Sequence, residues 1–182
     1  MGHKGIELLR GMGGVYVKPV QVNYLSHDQV VAQSILRLRR ARIIRTFQVE
    51  RELKTYGTKE FLLSDQDHDK KYPDAVFRIE VLGEKRTVAI EYERNRKSSS
   101  RYKSILFQYA GVTNLSMVLY IVEEDGTKKA IQGAMKHLGQ TALLSKLAFV
   151  DAEEWKTSPL TALISLPRQK VKLGEICTRL AA

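Results

Sequence analysis

Two alternating segments joined by a tight turn constrain this chain more than any other feature. In PDAVFRIEV, residues 73–81, Ala75, Phe77, Ile79 and Val81 fall on one parity and Asp74, Val76, Arg78 and Glu80 on the other. RTVAIEYE, residues 86–93, repeats the pattern, with Val88, Ile90 and Tyr92 opposing Ala89, Glu91 and Glu93. A period of two belongs to strands, and the intervening LGEK is turn-like, so the unit reads as a β-hairpin. With the turn centred on Gly83-Glu84, Asp74 lies opposite Glu93 and Val76 opposite Glu91. Asp74, Glu91 and Glu93 then share one face at the open end. A one-residue slip would reverse every face, so the inference depends on register.

The flanking segments supply the layers such a hairpin needs. LSHDQ predicts a helix start with Ser26 as N-cap and Gln29 at the capping-box position, and Val31, Ile35 and Leu38 keep helical spacing. IIRTFQVE, 43–50, reads as a strand, and 55–72 as a polar loop or short helix. A helix is expected over Ser99 to Ala110, stopped by Gly111. MVLYIVEE, 117–124, is a continuous apolar run suited to a strand buried on both sides. A helix over 127–138 ending at Gly139 follows, then a short strand LAFVD, 147–151. The order is helix, three strands, helix, strand, helix, strand, which predicts an α/β domain with a mixed central sheet flanked by helices. Residues 1–24 are poorly periodic and glycine-rich, and read as an appendage to a domain over 25–182.

Composition narrows the function classes. Thirty Lys+Arg against twenty Asp+Glu gives a net charge of +10 in 182 residues. That favours a polyanionic partner, nucleic acid before anionic lipid. No apolar run reaches the ~18 residues of a membrane span. One cysteine, Cys177, excludes an internal disulfide framework and a multi-thiolate zinc site, and points to a reducing cytoplasm.

Three clustered carboxylates repel one another and need a cation, a basic neighbour or raised pKa values. Oxygen-only donors suit Mg²⁺ or Mn²⁺, which can polarise a phosphodiester and activate water. The plainer alternative is a solvated hairpin face with its carboxylates paired to Arg78 or Arg94. Arg94, Arg96, Lys97, Arg101 and Lys103 leave the same strand end as Glu91 and Glu93, as a phosphodiester substrate would require. A helix N-terminus at SSS could add a phosphate contact. Arg37 and Arg40 extend the basic surface.

The pair PDAVF and IEYER resembles the PD-(D/E)XK nuclease-like superfamily, whose core is an α-β-β-β-α-β arrangement. HDQVV, VERELK, YPDAVF, IEYERNRKSSSRYK and FQYAG together resemble the replication-relaxation family of plasmid and mobile-element proteins and the MobC-type mobilisation relaxases. This likeness covers roughly residues 24–124. It implies that Asp74 and Glu91 form the metal-binding acidic pair and that Glu93 stands where the superfamily usually has lysine. Lys97 or Lys103 would then be a displaced catalytic lysine, and Glu50 or Glu52 an outer carboxylate. His27 matches the His-Asp start, as a phosphate-orienting or proton-transferring group or as a cap. The implied function is Mg- or Mn-dependent DNA nicking in mobilisation or replication. The alternatives are a catalytically inactive DNA-binding regulator and a protein-interaction scaffold. The implied partners are DNA, relaxosome or replication proteins and a second copy of the chain. KGIELL resembles the end of a winged-helix domain, so 1–24 is expected to be its remnant.

Other signals are weaker. Asp65, Asp67 and Asp69 open like a calcium loop, but Lys70 replaces its glycine and Val76 its bidentate glutamate. GMGG has Tyr16 at the third glycine position of a dinucleotide fingerprint. Tyr92, Tyr102 and Tyr109 could stack on bases or attack a phosphate. The seven-residue spacing of Tyr102 and Tyr109 more simply suggests a packed helix face.

Overall fold

A computed structural model describes residues 22–56, 72–139 and 141–179. The appendage up to residue 21 and the Asp65–Asp69 stretch lie outside the described residues. A seven-stranded mixed sheet forms the centre, in the order β1 (Phe47–Val49), β2 (Ala75–Val81), β3 (Glu84–Glu93), β4 (Met117–Val122), β5 (Leu147–Asp151), β6 (Ile164–Ser165) and β7 (Lys170–Val171). β3, β4 and β5 run parallel, and every other adjacent pair is antiparallel. The helices are α1 (Val22–Arg40), α2 (Glu50–Tyr56), α3 (Ser99–Ala110), α4 (Asp125–Leu138), α5 (Thr141–Leu144), α6 (Ala152–Thr157) and α7 (Leu173–Ile176).

Alternation sorts the sheet into two apolar faces. On one, Ala75, Phe77, Ile79, Val88 and Ile90 pack with Val31, Ile35 and Leu38 of α1 and Trp155 of α6. On the other, Val76, Ala89, Val118 and Tyr120 pack with Tyr102, Ile105, Leu106 and Tyr109 of α3 and with Ile131 and Met135 of α4. Both helix faces follow the i, i+3, i+4, i+7 rule. Each fully buried Leu, Ile or Phe contributes about 1.5–3 kcal/mol, so these two seams hold the layers together. The Trp155 indole N–H donates to Ser34 Oγ at 2.7 Å, which satisfies the one polar atom of a buried ring.

Several boundaries depart from the sequence reading. α1 begins at Val22, so Ser26 lies a turn inside it and the expected domain boundary after residue 24 falls within the helix. Ser26 Oγ accepts from Arg94 instead of capping, at 2.9 Å. A capping pattern cannot start a helix where the preceding residues already continue it. The strand expected over 43–50 shrinks to Phe47–Val49. Arg42 closes the end of α1 at a φ of 61°, and Ile43 N donates to Leu38 O at 3.0 Å. Ile43 and Ile44 are therefore core residues of a turn, and Glu50 starts α2. α3 keeps its expected range, and α4 starts two residues early and ends at Gly139, whose φ of 64° suits a glycine stop.

The hairpin turn is Leu82-Gly83, with φ values of 52° and 79°. These are the two left-handed residues of a type I′ hairpin. Val81 pairs with Glu84 and Ala75 with Ile90. Glu93 is therefore not opposite Asp74, and Val76 faces Ala89 rather than Glu91. Continued one residue, the observed register carries Asp74 to the level of Glu91. A slip of two residues keeps every side chain on its expected face, because the pleat repeats every two.

Candidate active site

The parallel strands end at one edge of the sheet, where α/β proteins commonly bind ligands. There the last residues of β3 meet the residue that precedes β2, α1 and α2. They enclose a cleft of about 610 Å³ lined by His27, Asp28, Glu50, Asp74, Glu91, Tyr92, Glu93, Arg94, Asn95, Arg96 and Lys97. Asp74, Glu91, Glu93, Arg94, Arg96, Lys97 and His27 are thus brought together from the sequence-predicted set.

Each acidic residue has a defined anchor. Asp74 Oδ2 accepts from Tyr92 N at 2.7 Å and lies 3.2 Å from His27 Nε2. That contact pushes the His27 pKa up to about 9 against the opposing effect of burial, so the ring carries charge at neutral pH. Its ring also lies against Tyr92, with centroids 5.3 Å apart. Glu91 is 1% exposed and its Oε1 accepts from the Tyr109 hydroxyl. Burial drives the Tyr109 pKa well above its ordinary value, which keeps that hydroxyl a donor. Glu93 is equally buried, and its Oε2 receives Lys97 Nζ in an i,i+4 contact. Lys97 Nζ also sits 5.9 Å over the ring of Tyr102, whose hydroxyl accepts from Lys97 N at 3.1 Å. Glu93 Oε1 is buried without a hydrogen-bond partner among the described residues.

Other expected site residues sit elsewhere. Glu52 reaches back to Val49 N at 3.0 Å, the return half of a capping box, and it is Glu50 that lines the cleft. Arg37 donates to Lys156 O and to Thr157 O, the latter at 3.1 Å, and so closes the end of α6. Arg40, Arg101 and Lys103 do not line the cleft. Ser98 Oγ accepts from Arg101 N at 3.3 Å and caps α3 itself.

Beside the cleft is a group that the sequence reading does not anticipate. Glu123, just beyond β4, accepts from the Tyr92 hydroxyl and from Lys156 Nζ at 2.6 Å. Burial disfavours its charge, but the contacts with Lys156 and Tyr92 outweigh that and lower its pKa. The available signal was its place as the first polar residue after a buried parallel strand.

Among the described residues, no three His, Cys, Asp or Glu side chains converge as a cage for a metal ion. Mg²⁺ commonly needs only one or two carboxylates and fills its remaining places with water. The hard oxygen donors of this cleft and the unpartnered Glu93 Oε1 fit that mode of binding, whereas a three-carboxylate cage does not. Among the described residues, no helix is long and apolar enough to cross a membrane. Comparison with protein-family profiles, curated proteins and solved structures gives no match to this chain.

Proposed function

We propose that the cleft carries out metal-dependent cleavage of a DNA strand, in a PD-(D/E)XK-like domain of the replication-relaxation or MobC type. The observation that carries this reading is the gathering of Asp74, Glu91 and Glu93 at one strand end, with Lys97 Nζ on Glu93 Oε2. The antiparallel β2 between β1 and β3, followed by α3 and the parallel β4, supports it further, although the short α2 interrupts the expected run of three strands.

Asp74 and Glu91 would hold Mg²⁺ or Mn²⁺, with Glu93 beside them. A divalent ion here supplies polarisation of the phosphodiester and a more acidic water. The chain's own groups do the rest. Arg94 and Arg96 on the rim orient phosphate oxygens, and Lys97 places a positive charge where charge develops in the transition state. Tyr92 N and His27 fix the Asp74 carboxylate. Water gives up a proton to solvent as its oxygen bonds to phosphorus, the bond to the leaving sugar oxygen breaks, and that oxygen takes up a proton from solvent.

A second reading is a DNA-binding regulator that keeps the fold without cleavage. It is favoured by the pairing of Asp74 with His27 and of Glu93 Oε2 with Lys97, which offsets the charge of two of the carboxylates without an ion. A supercoiled-plasmid assay separates the two. Enzyme predicts open circles with Mn²⁺ or Mg²⁺, none with EDTA, and a loss of orders of magnitude in Glu91→Gln. Glu93→Lys keeps activity if Glu93 occupies the lysine position and abolishes it if Glu93 is an indispensable ligand. Tight DNA binding without any nicking establishes the regulator.

A further inference from the structure

The cleft is a poor polyanion trap by itself. Five carboxylates, Asp28, Glu50, Asp74, Glu91 and Glu93, line it against Arg94, Arg96, Lys97 and His27. Even with His27 charged, the acids outnumber the bases, and one divalent ion leaves the rim close to neutral. The chain's net charge of +10 must therefore lie elsewhere.

One concave surface collects part of it. α4 presents Lys128, Gln132 and Lys136 at i, i+4 and i+8, a single stripe along one wall of a groove of about 400 Å³. Leu147 and Phe149 of β5 form its floor, and Leu166 and Pro167 of the β6–β7 turn form its far wall. Among the described residues, no carboxylate lines it. Lys129, one residue along, pairs with Asp125 at 2.7 Å, but neither Lys128 nor Lys136 forms an ion pair among the described residues. Lys128 Nζ is held 5.7 Å above the Phe149 ring, which fixes its position over the groove. Eight residues of helix separate the two lysines by about 12 Å, enough to meet two different phosphates.

We propose that this groove is a second, non-catalytic nucleic-acid contact, in which Lys128 and Lys136 hold the phosphodiester backbone of the strand processed in the cleft. The inference rests on the DNA-cleavage reading. α4 lies on the same sheet face as Glu91 and Glu93, beside α3, so a bound strand can pass from the cleft over the helix layer to the groove. Phosphate contacts of this kind position a strand without reading its sequence.

The test is the salt dependence of binding, measured with the full chain and fluorescently labelled DNA by anisotropy from about 50 to 200 mM salt. Lys128→Ala/Lys136→Ala should weaken binding about tenfold or more and lower the log–log salt slope by about 1.8, or 0.9 per phosphate lost. Lys128→Arg/Lys136→Arg should retain both. Circular dichroism checks the fold, and Lys128→Gln/Lys136→Gln replaces the alanine pair if that variant is unfolded. Wild-type binding with an unchanged slope in the neutral variants overturns the groove and leaves the DNA reading standing. A wild-type chain that binds no DNA removes both. Binding of poly-L-glutamate but not DNA, lost in the neutral variants, assigns the groove to an acidic peptide and also overturns the proposal.

Discussion

Tyr109, from the last turn of α3, donates its hydroxyl proton to Glu91 Oε1 across a fully buried interface between helix and sheet. Helix and strand are tied here by a polar contact within an otherwise apolar seam. A buried carboxylate is tolerable only when it is hydrogen-bonded or paired. Tyr109→Phe keeps the packing and removes the donor. The expected loss of stability is about 1–3 kcal/mol, read from urea unfolding at neutral pH. A variant as stable as the wild type would show that Glu91 draws its stabilisation from its other contacts.

Glu123 makes the fold sensitive to acid. Its pKa is lowered from the ordinary 4.5, so it binds protons less readily when folded than when unfolded. The stability it contributes is present above 4.5 and is lost as the pH falls through the lower folded value. Glu123→Gln should lower the urea midpoint near neutrality, where that contribution is complete, and flatten its decline as the pH falls through the acidic range. An unaltered acid limb would assign the sensitivity to other carboxylates.

The hairpin tip offers a gain in stability. Leu82 is 92% exposed and sits at a φ of 52°, where its Cβ crowds the following carbonyl oxygen and asparagine is better tolerated. Leu82→Asn should raise stability by about 0.5–1 kcal/mol in thermal or urea unfolding. The neighbouring Gly83→Ala, at a φ of 79°, should lower it by about 1 kcal/mol. Equal effects of the two changes would mean that the turn is not of type I′.

Burial pushes the Cys177 thiol up to about 11 from 9.0. At mildly alkaline pH its thiolate fraction falls about a hundredfold below that of an unperturbed cysteine. Alkylation by iodoacetamide should be slow in the folded chain and become fast in urea. Rapid labelling without denaturant would show that the isolated bridge between Cys177 and Val81 opens readily.

Pattern alone determined the elements made of local, repetitive chemistry. The two hairpin strands, α3 with its glycine stop, and the buried strands at Met117 and Leu147 follow from period two, period 3.6 and continuous apolar runs. The same parity placed Asp74, Glu91 and Glu93 on one face, and it survived a two-residue error in register. Tertiary structure decided the rest. Ile43 and Ile44 look like strand residues, yet they fill a turn because the core needs their volume there. Glu50, not Glu52, enters the cleft because α2 starts at Glu50 and its capping geometry turns Glu52 back to Val49 N. The partners of the acidic residues, His27, Tyr109 and Lys97, come from three segments, and two of them lie more than fifteen residues from the carboxylates they contact. A hydrogen bond across such a separation depends on how the layers dock, and no local periodicity encodes that.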